Sequence, residues 1–338
     1  MKTRLADYRR LWELARKRTR SERDYLEFQR FQGILLIRNL KGRGIGLNGK
    51  SILDLGCGFG GYSLAFDQEG GRVTALDLRV PEQMEDGPPV RFVQGNALSM
   101  PFSEASFDFV FCASLIEHVE EPTELLAQIL RVLRPSGICY LSFPPFWTPV
   151  GGHQFSPFHL LGERLGLKIY NSQLGRRIKR PAFVSFSEKP ASCAELCCDF
   201  GLYPVTIGQV KATLAQLGAQ IFWMGTKFSP LNLARLPLLN EFLTWHVEFI
   251  WRKSLSTEDS GARAQRWGSF SRDRANGMAP DASDVLTDRR LERLTEMGQY
   301  GDLKRAGTLC PSTVIDEDMA WASYEAKDYL IEGIKSSL

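Results

Sequence analysis

A run of glycines is the part of this 338-residue sequence best suited to chemistry. LDLGCGFGGYS carries an apolar strand into Gly56, Gly58, Gly60 and Gly61 and then opens a helix. Glycines let the backbone turn sharply and come close to a ligand, and the open N–H groups at a helix start favour a carboxylate or phosphate. Asp77 closes the next apolar run, RVTALDL, 21 residues beyond Gly56. A carboxylate placed there can accept hydrogen bonds from both hydroxyls of a ribose, which suits NAD and any other adenosine cofactor equally. Gly56, Gly58 and Gly61 satisfy the dinucleotide fingerprint GxGxxG, a pattern that discriminates little by itself. A tight turn without a ligand is the competing reading, and the joint occurrence of the turn and Asp77 counts against it.

Four histidines can move protons: His118, His153, His159 and His246. His153 and His159 stand in GGHQFSPFH, just past the fifth strand-like run. His153 is the candidate general base, and a backbone bond that orders the loop explains a histidine there equally well. His246 opens the last strand-like run and reads as structural. Glu117 and His118, in SLIEH, are secondary catalytic candidates behind His153, and their default reading is as residues that cap or pack the helix that follows. Cys193, Cys197 and Cys198 lie close together but lack two CxxC pairs or a fitting histidine, so no zinc site is expected there.

The elements that must position these groups alternate regularly. SILDLG, RVTALDL, VRFVQGNA, FDFVFCA, GICYLSF, IFWMGTKFS and WHVEFIW read as seven strands. GYSLAFDQEG, TELLAQILRVLRP (stopping at Pro135) and TIGQVKATLAQLGA read as helices between them. Strand–helix alternation predicts an α/β fold, a Rossmann-like sheet with helices on both faces. Ahead of it, residues 1–49 form an arm of two helices, the first carrying Leu5, Tyr8, Leu11, Trp12 and Ala15 at helical spacing. Residues 50–253 form the core domain. Within it, residues 144–205 make a long insertion rich in Pro, Gly and aromatics, placed to shape a ligand site. Residues 254–338 form a polar, partly flexible helical tail.

The ordered motifs LDLGCGFGGYS, VTALDL, VQGNALSMPFSEASFDFVFCASLIEHVEEP and LLAQILRVLRPSGICYLS resemble the class I S-adenosylmethionine-dependent methyltransferases, especially the small-molecule and lipid-quinone types. The resemblance covers residues 51–143 nearly continuously and 206–253 more loosely. It implies a seven-stranded, mostly parallel sheet with an antiparallel last strand. It also implies S-adenosyl-L-methionine as cofactor. Asp54, Gly56, Cys57, Gly58 and Gly60 would hold the methionine part, and Asp77 with Leu78 the ribose. Asn96, where many relatives carry Asp, would face the adenine with Ala97 and Leu98; its amide oxygen can still accept from the adenine amino group. Ser114 and Leu115 would close the floor beneath the sulfonium. Some relatives bind a divalent metal through ExxEH after the fourth strand. Here the first acid is Ser114; Glu117, His118 and a loop histidine still offer three ligands, but packing is the default reading and no metal is expected.

The chemistry implied needs alignment of nucleophile, methyl and sulfur, exclusion of water, and removal of a proton from a carbon or oxygen acceptor. Phe143, Phe146, Trp147, Phe155, Phe158 and Tyr170 suit a small organic or lipid-like acceptor, and serve equally as the core of a lid. A basic cluster, Arg176, Arg177, Lys179 and Arg180, can hold an acidic group of a substrate but reads more simply as a solvated turn.

Composition sets the outer bounds. A hydrophobic share of 43% fills a core, and 24% charged residues is ordinary for a soluble chain. No run approaches 18 uncharged apolar residues, so no spanning helix is expected. NLARLPLLNEFLTW is apolar enough for peripheral membrane contact, although packing explains it better. MKTRLADYRR does not suit a signal peptide, and Asp7, Glu13 and Glu22 do not suit a transit peptide. Seven cysteines at irregular spacing read as reduced thiols of a cytoplasmic protein. The formal charge of +3 is uneven. Residues 1–49 hold thirteen Lys/Arg against five Asp/Glu, and 254–338 hold eleven against fifteen. The basic arm leaves a nucleic-acid methyltransferase as an alternative. Against it, the fourth strand ends in CAS rather than the D/N-PP-[YFW] of amino-methylating nucleic-acid enzymes. A non-catalytic cofactor-binding scaffold with the tail as its interaction segment is the third class, its partner unassigned.

Overall fold

The computed structural model describes residues 4–79, 90–172, 189–195, 201–229, 231–237 and 239–253. The tail from 254, the basic cluster at 176–180, and Cys197 and Cys198 lie outside the described residues.

Two helices come first, α1 (Leu5–Lys17) and α2 (Glu22–Gly42). Ser21 starts α2 by accepting a hydrogen bond from the Asp24 N–H, which satisfies one of the open donors of the first turn. The core follows as β1 (Ser51–Leu55), α3 (Gly61–Gln68), β2 (Arg72–Asp77), β3 (Arg91–Gln94), β4 (Phe107–Ala113), α4 (Pro122–Val132) and β5 (Leu133–Phe143). It ends with α5 (Glu163–Tyr170), α6 (Ile207–Gln216), β6 (Ala219–Thr226), the short α7 (Asn240–Leu243) and β7 (Val247–Lys253).

The seven strands form one sheet in the order β3-β2-β1-β4-β5-β7-β6. The β1–β2, β1–β4, β2–β3 and β4–β5 pairs are parallel, and β7 runs antiparallel to both β5 and β6. This is the Rossmann-like sheet expected, antiparallel last strand included. One consequence matters for the site. Six strands end on the carboxyl edge of the sheet, whereas β7 begins there.

Both faces of the sheet are covered, so the inner strands are apolar on both sides. Leu53 of β1 joins a cluster with Val110, Leu141, Phe249, Ile129 of α4 and Leu214 of α6. Its neighbour Ile52 points the other way, to Phe109, Phe111, Tyr140, Phe66 of α3 and Leu36 of α2. The period of two along a strand thus sorts adjacent residues to opposite faces. α4 ends at Val132 rather than running on to Pro135. A proline disfavours the helical region for the residue before it. Pro135 instead lies early in β5, where the β4–β5 register shifts between Phe107 and Phe109.

The arm packs onto this core. Leu11, Leu14 and Ala15 of α1 meet Phe28 and Leu35 of α2, with Phe228 against them. Leu5, expected on the apolar stripe, is exposed. The insertion has a core of its own, made by Phe155, Leu167, Tyr170 and Leu202 with Phe146 and Phe158. Four of the six aromatics named from the sequence, Phe146, Phe155, Phe158 and Tyr170, are therefore lid core. Of the other two, Trp147 is exposed and Phe143 belongs to the main core.

Candidate functional site

The carboxyl edge of the sheet collects the residues singled out from the sequence. Where β1 ends, Gly56, Gly58 and Gly60 adopt φ of +75, +51 and +77, the left-handed region that a side chain would disfavour. Gly60 is the N-cap of α3. The turn is pinned by Gly56 N–H and Cys57 N–H, both donating to the Leu76 carbonyl at 2.8 and 3.3 Å. Asp77 is 3% exposed, and its Oδ2 accepts from the Gly58 N–H at 3.0 Å. Asp54, also buried, accepts from the Ser63 hydroxyl. Burial, then the charges of Asp77 and Asp54, push the Cys57 thiol well above its ordinary range, so it stays protonated.

Three further segments border this turn. Beyond β3, the Asn96 side-chain oxygen accepts from the Leu98 N–H at 2.8 Å, folding the residues 96–98 back on themselves. Ala97 is buried, and Leu78 after β2 is exposed. Beyond β4, Ser114 takes φ +51, and its N–H donates to the Ser142 carbonyl at 2.8 Å. The Leu115 side chain then reaches the glycine turn: a Cβ on Gly56 would stand 3.1 Å from it. A buried carboxylate, a left-handed glycine turn and an apolar floor fit an adenosine-containing cofactor with a charged, flexible end.

A second group of polar residues lies on the same edge. Ile116–His118 forms one 3-10 turn, in which Glu117 is 2% exposed. The His118 Nδ1 faces the Gly201 carbonyl at 2.6 Å, and the Tyr203 N–H donates to the Glu117 carbonyl at 2.8 Å. α4 begins with Glu121 as N-cap and no side-chain cap, so Glu117 and His118 do not cap it. They tie the far end of the insertion to the site instead. His153 is carried in by the near end, on a 3-10 turn after two glycines, and takes φ +49. Its ring stacks on that of His118, with centroids 5.2 Å apart. His159 hydrogen-bonds the Thr148 carbonyl through Nε2 at 3.0 Å, so it, like the aromatics, orders the lid.

Burial disfavours the charged imidazole, and all four histidines are held below their ordinary range. For His153 the charges of His118 and His159 add to burial; for His246 those of Lys227 and His153 do. For His118 the charge of Glu117 and the Gly201 bond oppose burial, and bonds to Thr148 and Phe146 do so for His159.

Three members of this group were not assigned to the site from the sequence. His246, read as structural, faces Lys227 and His153 electrostatically and is 4% exposed. Lys227, just past β6, is equally buried, and its Nζ donates to the Tyr62 hydroxyl at 3.3 Å. Tyr62 in turn donates to Gln32 of the arm at 2.7 Å. The available signal was topological: an antiparallel last strand begins on the edge where its neighbours end.

Comparison with known proteins finds methyltransferases. The sequence profile of the methyltransferase-domain family matches residues 53–141. An uncharacterized methyltransferase of Mycobacterium avium (strain 104) is 34% identical over 217 residues, 62% of this chain and 79% of that protein. One from Mycolicibacterium paratuberculosis is 29% identical over 217 residues, covering 62% and 78%. Others, such as that of Mycobacterium sp. (strain KMS), match over about half their length. Among solved structures, an S-adenosylmethionine-dependent methyltransferase from Mesorhizobium loti is similar at 20% identity and a TM-score of 0.43, covering 68% of this chain and 98% of that one.

Proposed function

The chain belongs to the class I S-adenosylmethionine-dependent methyltransferases, and from that premise we propose that it methylates an oxygen, nitrogen or carbon of a small organic or lipid-like acceptor. The observation that carries this reading is the lid. The described residues of the insertion (144–172, 189–195 and 201–205) gather on an apolar cluster of their own while delivering His153 and the Gly201 carbonyl to the edge where the glycine turn lies. Such a cover suits an acceptor enclosed as a whole molecule, away from water.

S-adenosylmethionine, when bound, supplies a methyl group already activated on a sulfonium. The chain's own residues do the rest. The glycine turn and Asp54 would receive the methionine end, and the buried Asp77 carboxylate would accept from the ribose hydroxyls. Asn96, Ala97 and Leu98 would border the adenine. Ser114 and Leu115 would form the floor of the methyl-transfer site, and alignment there is a large part of such a reaction's acceleration. His153, neutral because it is buried, takes the proton of the acceptor at one of its ring nitrogens.

Labelled methyl transfer tests the reading. The purified chain is mixed with S-adenosylmethionine carrying a labelled methyl group and with extract of its source cells. Label is expected in the organic-soluble fraction; label in nucleic acid overturns the acceptor class. With the acceptor in hand, His153→Ala is expected to lower kcat by about 10²–10⁴-fold while S-adenosylhomocysteine binding is unchanged. Equal turnover removes His153 from the chemistry.

A further inference from the structure

Lys227 and His246 stand side by side on the carboxyl edge, where β6 ends and β7 begins. The Lys227 N–H donates to the His246 carbonyl at 2.9 Å, one step beyond the Thr226–Val247 pair. The β6–β7 ladder therefore sets the two residues opposite one another, and both are 4% exposed. In the sheet they lie beyond β5, on the flank opposite β2 and β3, the strands that lead to Asp77 and Asn96. From this pair we infer that the acceptor carries a carboxylate, which Lys227 and His246 hold as a handle away from the atom that is methylated. The inference deepens the proposed acceptor site and rests on that reading.

Two features point to an anion. The first is an unpaired nitrogen. His246 Nε2 is buried and has no hydrogen-bond partner among the described residues. A buried polar atom left unpaired is costly, and a carboxylate oxygen would satisfy this one. Burial, then the charges of Lys227 and His153, keep the imidazole neutral. Its one ring proton can therefore sit on Nε2 and donate to the bound anion. The second is a cation held in a fixed place. Lys227 Nζ donates to the Tyr62 hydroxyl at 3.3 Å, and that hydroxyl donates to the buried Gln32 at 2.7 Å. The rings of Tyr62 and Phe228 flank the ammonium, with centroids 5.6 and 5.4 Å away. An anion brought to a cation out of water is attracted more strongly than at the surface.

The donor set selects the kind of anion. One ammonium and one neutral imidazole match a single negative charge spread over two oxygens, which describes a carboxylate better than a phosphate dianion. Such hydrogen bonds stabilise the carboxylate and make it a poorer nucleophile, so the methyl goes to another atom. His246 also feels the charge of His153, which sets the handle and the proposed base within the span of one small acceptor.

The test uses the full chain, S-adenosylmethionine with a labelled methyl group, and extract of the source cells. The labelled organic-soluble product is passed over an anion exchanger at neutral pH. Retention is expected, because the handle keeps its charge after transfer. A labelled organic product that is not retained overturns the inference and leaves the methyltransferase reading standing, whereas absence of label from every fraction overturns both. This arm needs no variant. Lys227→Met and His246→Gln are then each expected to raise the KM of the retained acceptor by about 10- to 100-fold. Neither is expected to change kcat by as much or to weaken S-adenosylhomocysteine binding, and Lys227→Arg is expected to recover part of the loss. A fall in S-adenosylhomocysteine affinity in Lys227→Met assigns the cation to the cofactor's own carboxylate and overturns the inference. So does a KM unchanged in both variants.

Discussion

The proposed reading gives the Asp77 carboxylate two tasks. Oδ2 holds the glycine turn by accepting from the Gly58 N–H, and the ribose hydroxyls of the proposed cofactor would donate to the same group. A hydrogen bond to a charged group contributes about 1.5–3 kcal/mol, so Asp77→Ala is expected to weaken S-adenosylhomocysteine binding by roughly 10- to 100-fold. Asp77→Asn keeps an acceptor for the Gly58 N–H and should fall between the two. Calorimetric titration reads the affinities and thermal unfolding checks the fold; an affinity unchanged in Asp77→Ala removes the ribose assignment. Residues of this kind were legible in the sequence because backbone geometry dictates them: only glycine tolerates that turn, and Asp77 ends the next strand at a fixed offset. His246 and Lys227 were not legible. The Lys227–Tyr62 hydrogen bond joins residues 165 apart, and no local pattern records such a meeting.

At the scale of elements, the arm meets the core through two glycines that pass for weak points in their helices. Gly33 of α2 lies against α3, where an added Cβ would stand 2.7 Å from the Ala65 Cβ. Gly61 lies against α2, where a Cβ would stand 2.5 Å from the Gln29 Cβ and 2.7 Å from the Leu26 carbonyl oxygen. Alanine in place of glycine gains about 1 kcal/mol of helix propensity. Overpacking against rigid neighbours costs about 1–3 kcal/mol, so the clash decides the sign. Gly33→Ala and Gly61→Ala are each expected to destabilise the chain in urea unfolding. Gly208, in the first turn of α6, is the control: its Cβ would meet nothing nearer than 3.6 Å, so Gly208→Ala is expected to be neutral or stabilising. Loss of stability in all three would mean that helix crossing is not what these glycines serve. Periodicity made the strands and helices legible. It carries no sign of what Gly33 does, because the reason for that glycine sits on another helix.

For the molecule as a whole, the distribution of charge separates an enclosed acceptor from a polyanionic one. The arm's thirteen Lys/Arg suggested a nucleic-acid surface. In the fold, several of them are committed elsewhere. Arg38 pairs with Asp7 at 2.7 Å, and Lys41 pairs with Glu69. Arg43 stacks on the Trp223 ring 4.0 Å from its centroid and lies near Glu248, while Arg18 is buried beside Phe28. Arg30 donates to Gln68 of α3. These five cations lock α1 and α2 to one another and to the sheet, so the raw count of thirteen exceeds what the arm can offer a polyanion. An enzyme that neutralises six to ten phosphates loses about 10³–10⁵ in affinity between 50 and 200 mM salt. An organic acceptor held under the lid lacks that counterion atmosphere. The KM for the acceptor identified by label transfer is therefore expected to change less than about tenfold over the same range. A generic RNA duplex, followed by fluorescence anisotropy, is expected to bind no more tightly than non-specific contact allows, about 10⁻⁴–10⁻⁶ M. A thousandfold fall in acceptor affinity with salt would return the basic arm to the site and nucleic acid to the place of acceptor.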